Sequence, residues 1–152
     1  MTRWMCIFFS AFAFCYVSIA NADVASQEDV RFEQGQIKAA AGDIRGALAI
    51  YASLTVSYPA SYEAHARLGG MQLMDQRYAD AIKSFQQAIT HGDSGARAFI
   101  GMGMAYLHMG QFGPARGAFV EAQSRGATAR SDVAEIIRWI DKRDSTAAAL
   151  NQ

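Results

Sequence analysis

The sequence predicts an all-helical solenoid of three helix-turn-helix units followed by a capping helix. Four columns of small, apolar or aromatic residues recur every 34 residues, a period typical of solenoid repeats. The columns are Gly35, Gly69 and Gly103; Ala47, Ala81 and Ala115; Tyr51, Phe85 and Phe119; and Ala88 and Ala122, with Leu54 at that place in the first block. Within each block, apolar residues recur at gaps of three and four, which places them on one helix face.

The chain is predicted to begin with a secretory signal peptide, residues 1–22. Arg3 is followed by a run from Trp4 to Ala22 that contains no charged residue, and this run ends in the small-x-small sequence Ala20-Asn21-Ala22. Small residues at these positions fit the pocket of a signal peptidase, so we expect cleavage after Ala22. The mature protein would then be periplasmic or secreted.

Two alternatives concern the same segment. Residues 4–22 approach the ~20 apolar residues that span a bilayer, so an uncleaved inner-membrane anchor is the main alternative. A lipoprotein signal is disfavoured, because Phe14 rather than a small residue precedes Cys15.

Cleavage changes what the composition implies. Cys6 and Cys15 both lie in the signal, so the mature chain offers no cysteine for a disulfide, a thiolate metal site or a nucleophile. The full chain has 14 basic and 14 acidic residues, and loss of Arg3 leaves a formal charge of −1. A near-neutral surface makes nucleic acid an unlikely partner by charge. A length of 152 residues bounds the chain to one domain.

Three repeats are expected, at residues 28–61, 62–95 and 96–129, each a pair of helices. The pattern breaks inside the blocks at Gly42-Asp43, Asp75-Gln76 and Gly110, and between blocks at Pro59, Gly92 and Gly126. Helices joined by short turns approach closely where small residues meet. We therefore expect the glycine column to face the alanine column, and the aromatic column to fill the space between successive pairs.

A capping helix is predicted over residues 131–143. Ser131-Asp132 is a suitable start. Four apolar residues then continue at helical spacing and would cover the last repeat: Val133, Ile136, Ile137 and Ile140. Residues 144–152 are expected to form a frayed tail.

The residue pattern offers no constellation for catalysis. The histidines His65, His91 and His108 have neither one another nor a carboxylate at metal-ligand spacing, so each is expected to be a surface or half-buried side chain. Gly101-Met102-Gly103 lies in a helical pattern without a preceding strand, which indicates close helix packing rather than a phosphate loop. We expect no enzymatic activity, cofactor or metal.

The columns and their spacing resemble the tetratricopeptide repeat family over roughly residues 28–129. The resemblance is weaker in the first repeat, where Arg31 and Lys38 replace large apolar residues. It implies a right-handed α-solenoid whose first helices line a concave groove that holds an extended peptide or a partner helix.

The resemblance also implies which residues line that groove. By repeat they are Asp29, Phe32, Gln36, Ala39 and Ala40; Glu63, Ala66, Gly70, Leu73 and Met74; and Arg97, Ile100, Met104, Leu107 and His108. In the columns that the carboxylate-clamp subset uses for lysine, asparagine and arginine, this chain has Phe32, Gln36, Gly70 and Gly101, and only Arg97 keeps a cation.

The groove is therefore expected to be apolar and rich in methionine, through Phe32, Met74, Ile100 and Met104. Packing of these side chains in the core is the alternative. Two further occupants of the groove stay open: residues 23–30 of the chain itself, or a second copy in a self-associated form.

Fold and address together predict an exported adaptor or scaffold that binds a protein or peptide and assists assembly of an envelope, pilus or secretion complex. One alternative is a membrane-anchored subunit of an envelope complex that keeps residues 4–22 as a span. Another is a small enzyme or ligand-binding protein.

Overall fold

A computed structural model describes residues 27–126 and 131–150, with side chains for 27–126 and 132–143. These residues form seven helices and no strand, which confirms the predicted all-helical solenoid. The helices are α1 (27–40), α2 (Ile44–Ser57), α3 (Tyr62–Met74), α4 (Tyr78–Thr90), α5 (Ala96–His108), α6 (Phe112–Ser124) and α7 (Ser131–Leu150). The predicted signal peptide, residues 1–22, lies outside the described residues, as do both cysteines.

Corresponding helices begin 34 residues apart. The second helix of each pair starts at Ile44, Tyr78 and Phe112, and the first helices of the later pairs start at Tyr62 and Ala96. Three-residue connections make the two helices of a pair antiparallel. α3 packs against α5 across α4. Helices that approach while skipping one lie on the inner side of a curved stack, so α1, α3 and α5 form the concave face.

Each turn within a repeat contains one residue in the left-handed region. The φ angle is 77° at Gly42, 62° at Gln76 and 72° at Gly110. Glycine adopts this conformation without a steric cost, whereas a side chain at Gln76 crowds the backbone. Asp43 then caps α2, because its carboxylate accepts a 2.9 Å hydrogen bond from the Gly46 amide. The Lys38 ammonium, 2.7 Å from Asp43, together with this amide lowers the pKa of the Asp43 carboxyl.

The aromatic column packs on the glycine column within each helix pair. A Cβ on Gly69 would lie 2.9 Å from the ring of Phe85, and the equivalent distances are 2.7 Å for Gly35 to Tyr51 and 2.8 Å for Gly103 to Phe119. The expectation that these glycines face Ala47, Ala81 and Ala115 is therefore wrong, because the ring fills the space left by the missing side chain. The three alanines are fully buried, as are Ala88, Ala122 and Leu54.

Phe85 also joins the second pair of helices to the third. Its ring occupies the place that a Cβ on Gly101 would need, so one side chain packs against both Gly69 of α3 and Gly101 of α5. Gly103, on another side of α5, receives Phe119. The Gly101-Met102-Gly103 segment thus serves close packing, and the aromatic residue at position 85 fills the space between two pairs.

The capping helix α7 closes the last repeat and is longer than predicted. Val133, Ile137 and Ile140 are buried against Ala115 and Phe119 of α6. The prediction that this helix ends at residue 143 and that residues 144–152 form a tail is wrong for 144–150, since α7 continues to Leu150. The segment from 145 to 150 contains three consecutive alanines, and alanine has the highest helix propensity.

Polar and aromatic contacts also hold α7 to α6. The Arg116 guanidinium donates hydrogen bonds to both carboxylate oxygens of Asp141. The ring of Trp139 lies 5.8 Å from that of Phe112, and the Arg143 guanidinium stands 3.9 Å from the Phe112 centroid. No helix within the described parts of the chain is both long enough and apolar enough to cross a membrane.

Candidate functional site

Two adjoining clefts open where the first helices of successive repeats meet the loops between them. The first cleft, of about 590 Å³, lies between α1 and α3, and the second, of about 400 Å³, lies between α3 and α5. They are related by the repeat: Asp29 of the first cleft corresponds to Glu63 of the second, and Glu63 of the first corresponds to Arg97 of the second. Tyr62 and Glu63 line both clefts, so the two form one continuous surface.

The first cleft combines carboxylates with aromatic rings. Its carboxylates are Glu28, Asp29 and Glu63, and its aromatic side chains are Phe32, Tyr58 and Tyr62. Pro59, Ala60 and Ser61 of the loop between α2 and α3 complete the wall. The side chain of Ser61 caps α3 by accepting a 3.4 Å hydrogen bond from the Ala64 amide, which fixes the position of Tyr62 and Glu63 in the first turn.

The second cleft carries both signs of charge. Arg67 and Glu63, one helical turn apart on α3, form a 3.1 Å ion pair. Asp93 accepts a 2.9 Å hydrogen bond from the Gly95 amide, which orders the loop before α5. Arg97 is exposed in the first turn of α5 and has no ion-pair partner among the side chains that the structure describes.

The structure brings five of the predicted groove residues together on the two clefts. These are Asp29, Phe32, Glu63, Ala66 and Arg97. Phe32 is only 9% exposed, because its ring packs 6.2 Å from that of Tyr51 in the core of the first repeat. Its groove role is therefore limited to the floor of the first cleft, and the rest of its surface serves packing.

Other predicted groove residues lie on α1, α3 and α5 without lining a cleft. Gln36 and Ala40 are exposed, Gly70 has open space around its Cα, and Met74 is 61% exposed at the end of α3. Ala39 and Leu73 are half-buried against the cores of the first and second repeats. The ring of His108 stacks on that of Tyr78 at 5.0 Å.

The expected methionine-rich apolar groove is not assembled by these residues. Ile100, Met104 and Leu107 are half-buried and pack against the cluster that α6 forms with α7. Met74 alone remains broadly exposed among the four apolar side chains on which the expectation rested. The capping helix covers the third repeat's inner apolar residues, so the concave surface is charged and aromatic instead.

Several cleft residues were not predicted from the groove columns. Glu28 and Tyr62 occupy the first position of their repeats, Arg67 lies one position beyond a groove column, and Tyr58 and Asp93 belong to the loops between repeats. The 34-residue spacing relates Glu28 to Tyr62 and was the one signal that could have indicated them.

The histidines lie away from both clefts. The ring of His65 stacks on that of His91 at 5.3 Å, and its Nε2 lies 2.9 Å from the Pro59 carbonyl oxygen. No three His, Asp or Glu side chains in the described part of the chain are placed to hold a metal ion.

Comparison with known families assigns the repeats. Residues 32–98 match the tetratricopeptide repeat model. The chain is a tetratricopeptide-repeat protein. Its three helix pairs are tandem repeats of this family, as the spacing of the sequence columns predicted. A search of curated proteins finds no match.

Solved tetratricopeptide-repeat domains share this fold. The type III secretion chaperone SycD of Yersinia enterocolitica, in complex with a peptide of the translocator YopD, is 16% identical with a TM-score of 0.73, over 76% of this chain and 93% of that one. The TPR2B domain of yeast Sti1 in its pHsp70 complex is 13% identical with a TM-score of 0.71, over 76% and 97%. The second domain of human RPAP3, with the HSP70 peptide SGPTIEEVD, is 21% identical with a TM-score of 0.67, over 73% and 92%.

Proposed function

We propose that this tetratricopeptide-repeat protein is an adaptor that holds a segment of a partner protein along the concave face of α1, α3 and α5. The observation that carries the proposal is the pair of adjoining clefts on that face, which keep charged and aromatic side chains open to solvent. Similar solved domains include complexes with peptides of a translocator and of HSP70. A shallow groove of this kind suits an extended segment or one helix of a partner.

The adaptor works after export, in the periplasm or outside the cell, where it assists assembly of an envelope, pilus or secretion complex. The uncharged run of residues 4–22 with its small-x-small ending supports export. The likeness to a type III secretion chaperone supports the assembly role by analogy of fold. We assign the chain no enzymatic activity, in keeping with the binding domains that it resembles.

One experiment separates export from membrane anchoring. The full chain is expressed in a bacterial host, the cells are fractionated, and the purified protein is sequenced from its N-terminus. We expect a start at Asp23 in the periplasmic fraction. A membrane fraction that retains residues 4–22 contradicts export in favour of the anchored subunit.

Partner capture tests the cleft surface itself. The wild-type chain is used as bait on an envelope fraction, and captured proteins are compared with those of two charge reversals. Arg97→Glu alters the second cleft, and Lys83→Glu makes the same change on α4, where the side chain is 77% exposed and distant from both clefts. We expect Arg97→Glu to lose the partner and Lys83→Glu to retain it. Equal capture by both variants overturns the cleft assignment.

A further inference from the structure

The first cleft is acidic and aromatic, with no basic side chain on its wall. Glu28, Asp29 and Glu63 surround it, and no lysine, arginine or histidine of the described residues lines it. Three carboxylates held at one opening repel one another unless a cation lies between them. The rings of Phe32, Tyr58 and Tyr62 stand in the same wall, and aromatic faces also attract cations.

The nearby basic side chains of the first repeat are directed elsewhere. The Arg31 guanidinium donates to the hydroxyls of Ser53 at 3.0 Å and Ser57 at 3.4 Å, on α2. Lys38 forms its ion pair with Asp43 at the far end of α1. The carboxylates of the first cleft are therefore not neutralised by the repeat to which they belong.

Glu28 and Asp29 differ in this respect from most acidic side chains of the protein. Neither has a hydrogen-bond or ion-pair partner among the described side chains, and one face of Glu63 is all that Arg67 neutralises. Six other carboxylates or shared carboxylates are paired with Lys or Arg: Asp43, Glu63, Asp80, Glu121, Glu135 and Asp141. The uncompensated negative charge is thus concentrated on a concave, aromatic-lined opening.

The second cleft has the opposite tendency. Its repeat-related positions carry Arg97 in place of Glu63, and Arg67 stands beside it. A cation on the partner is attracted to the first cleft and repelled from the second. The two clefts therefore distinguish basic from acidic groups along one continuous surface.

We infer that the first cleft binds an arginine or lysine side chain of the partner segment, held between the carboxylates of Glu28, Asp29 and Glu63 and the ring of Tyr62. The inference rests on the proposed adaptor function and specifies the chemistry of its partner. Neighbouring packed helices lie about 8–10 Å apart, and an extended peptide advances about 3.3 Å per residue. The partner residue over the second cleft, about three positions away, is acidic or neutral.

A model peptide tests the cation site without knowledge of the partner. The probe is acetyl-Gly-Ser-Ala-Arg-Ala-Ser-Gly-amide, and the control peptide has citrulline, a neutral isostere, in place of arginine. Each is titrated into the ¹⁵N-labelled full chain at low salt, and the amide shifts of α1 and the first turn of α3 are followed by NMR. We expect saturable shifts near Glu28, Asp29 and Tyr62 with the arginine peptide, and weakening as salt is raised.

Matched variants assign the effect to the cleft. Glu28→Gln with Asp29→Asn removes two cleft carboxylates, and Glu33→Gln with Asp75→Asn removes two exposed carboxylates that line neither cleft. We expect the first pair to weaken arginine-peptide binding about fivefold, since each exposed ion pair contributes modestly. The second pair should leave binding unchanged. The first pair should also weaken capture of the partner in the bait experiment.

Each other outcome overturns the inference. Equal binding of the citrulline peptide removes the role of charge, and equal weakening by both variant pairs shows only general attraction. Binding of tetramethylammonium without binding of the arginine peptide indicates a small-cation site. If Arg97→Glu loses the partner while Glu28→Gln with Asp29→Asn retains it, the adaptor function stands and the cation site does not.

Discussion

The hydroxyl of Ser84 donates a 2.7 Å hydrogen bond to Oε1 of Gln72, and both side chains are buried between α3 and α4. A buried polar group that loses its partner pays the cost of desolvation without compensation. Gln72→Leu should lower the free energy of unfolding by about 1–3 kcal/mol, measured by urea denaturation. Adding Ser84→Ala should restore most of this loss. A double variant less stable than Gln72→Leu contradicts the account.

Two adjacent glycines of α3 should respond to alanine with opposite signs. A Cβ at Gly69 would meet the Phe85 ring at 2.9 Å, whereas Gly70 has nothing within 4 Å. Gly69→Ala should lower the free energy of unfolding by about 1–3 kcal/mol, because the ring must move in a packed core. Gly70→Ala should raise it by about 0.5–1 kcal/mol, because alanine restricts the unfolded chain and favours helix. Thermal denaturation of the two variants side by side gives the comparison, and equal effects reject it.

Gln76 occupies a position where the other two repeats have glycine. Its φ of 62° matches those of Gly42 and Gly110, and a left-handed conformation costs a residue with a side chain roughly 1–2 kcal/mol. Gln76→Gly relieves that cost and loses part of it to chain entropy, so it should raise the free energy of unfolding by about 0.5 kcal/mol. Chemical denaturation measures the change. Gln111→Gly, in an ordinary backbone conformation with a negative φ, is the control and should not stabilise.

The attachment of α7 should depend on pH through one carboxylate. Hydrogen bonds from Arg116 lower the pKa of Asp141 from its ordinary value of 3.8. A group whose pKa is lower in the folded state contributes stability above its unfolded pKa and loses it as the pH falls through the folded value. The melting temperature of the wild type should exceed that of Asp141→Asn at neutral pH, and the difference should shrink as the pH drops below 3.8. Asp75→Asn, which removes an exposed carboxylate, is the control and should show no such pH-dependent difference. A difference that persists unchanged in acid excludes Asp141 as its source.

The helix pairs could be predicted because their contacts repeat. Tyr51, Phe85 and Phe119 each pack on a glycine 16 residues earlier, so the same requirement is written into the sequence three times. The detail that the ring rather than alanine meets the glycine depends on side-chain direction, which spacing does not encode. The end of α7 was misplaced because it has no second copy in the sequence with which to be compared.

The candidate site could be predicted only where it follows helix columns. Glu63, Ala66 and Arg97 fall on those columns and line the second cleft. Asp93 comes from a loop, whose course depends on the helices that it joins. Met104 was expected in an open groove, but the docking of α7 decides its exposure, and this long-range contact lies outside the repeat pattern.

The shared ring of Phe85 bears on how the protein loses its structure. In an array where each repeat contacts only its neighbours, opening begins at the ends, where one neighbour is missing. Phe85 fills space in two successive pairs at once, so α3 and α5 cannot separate without exposing it. The centre of the stack therefore opens as one cooperative unit, and the floor of the second cleft persists while the terminal helices exchange with solvent.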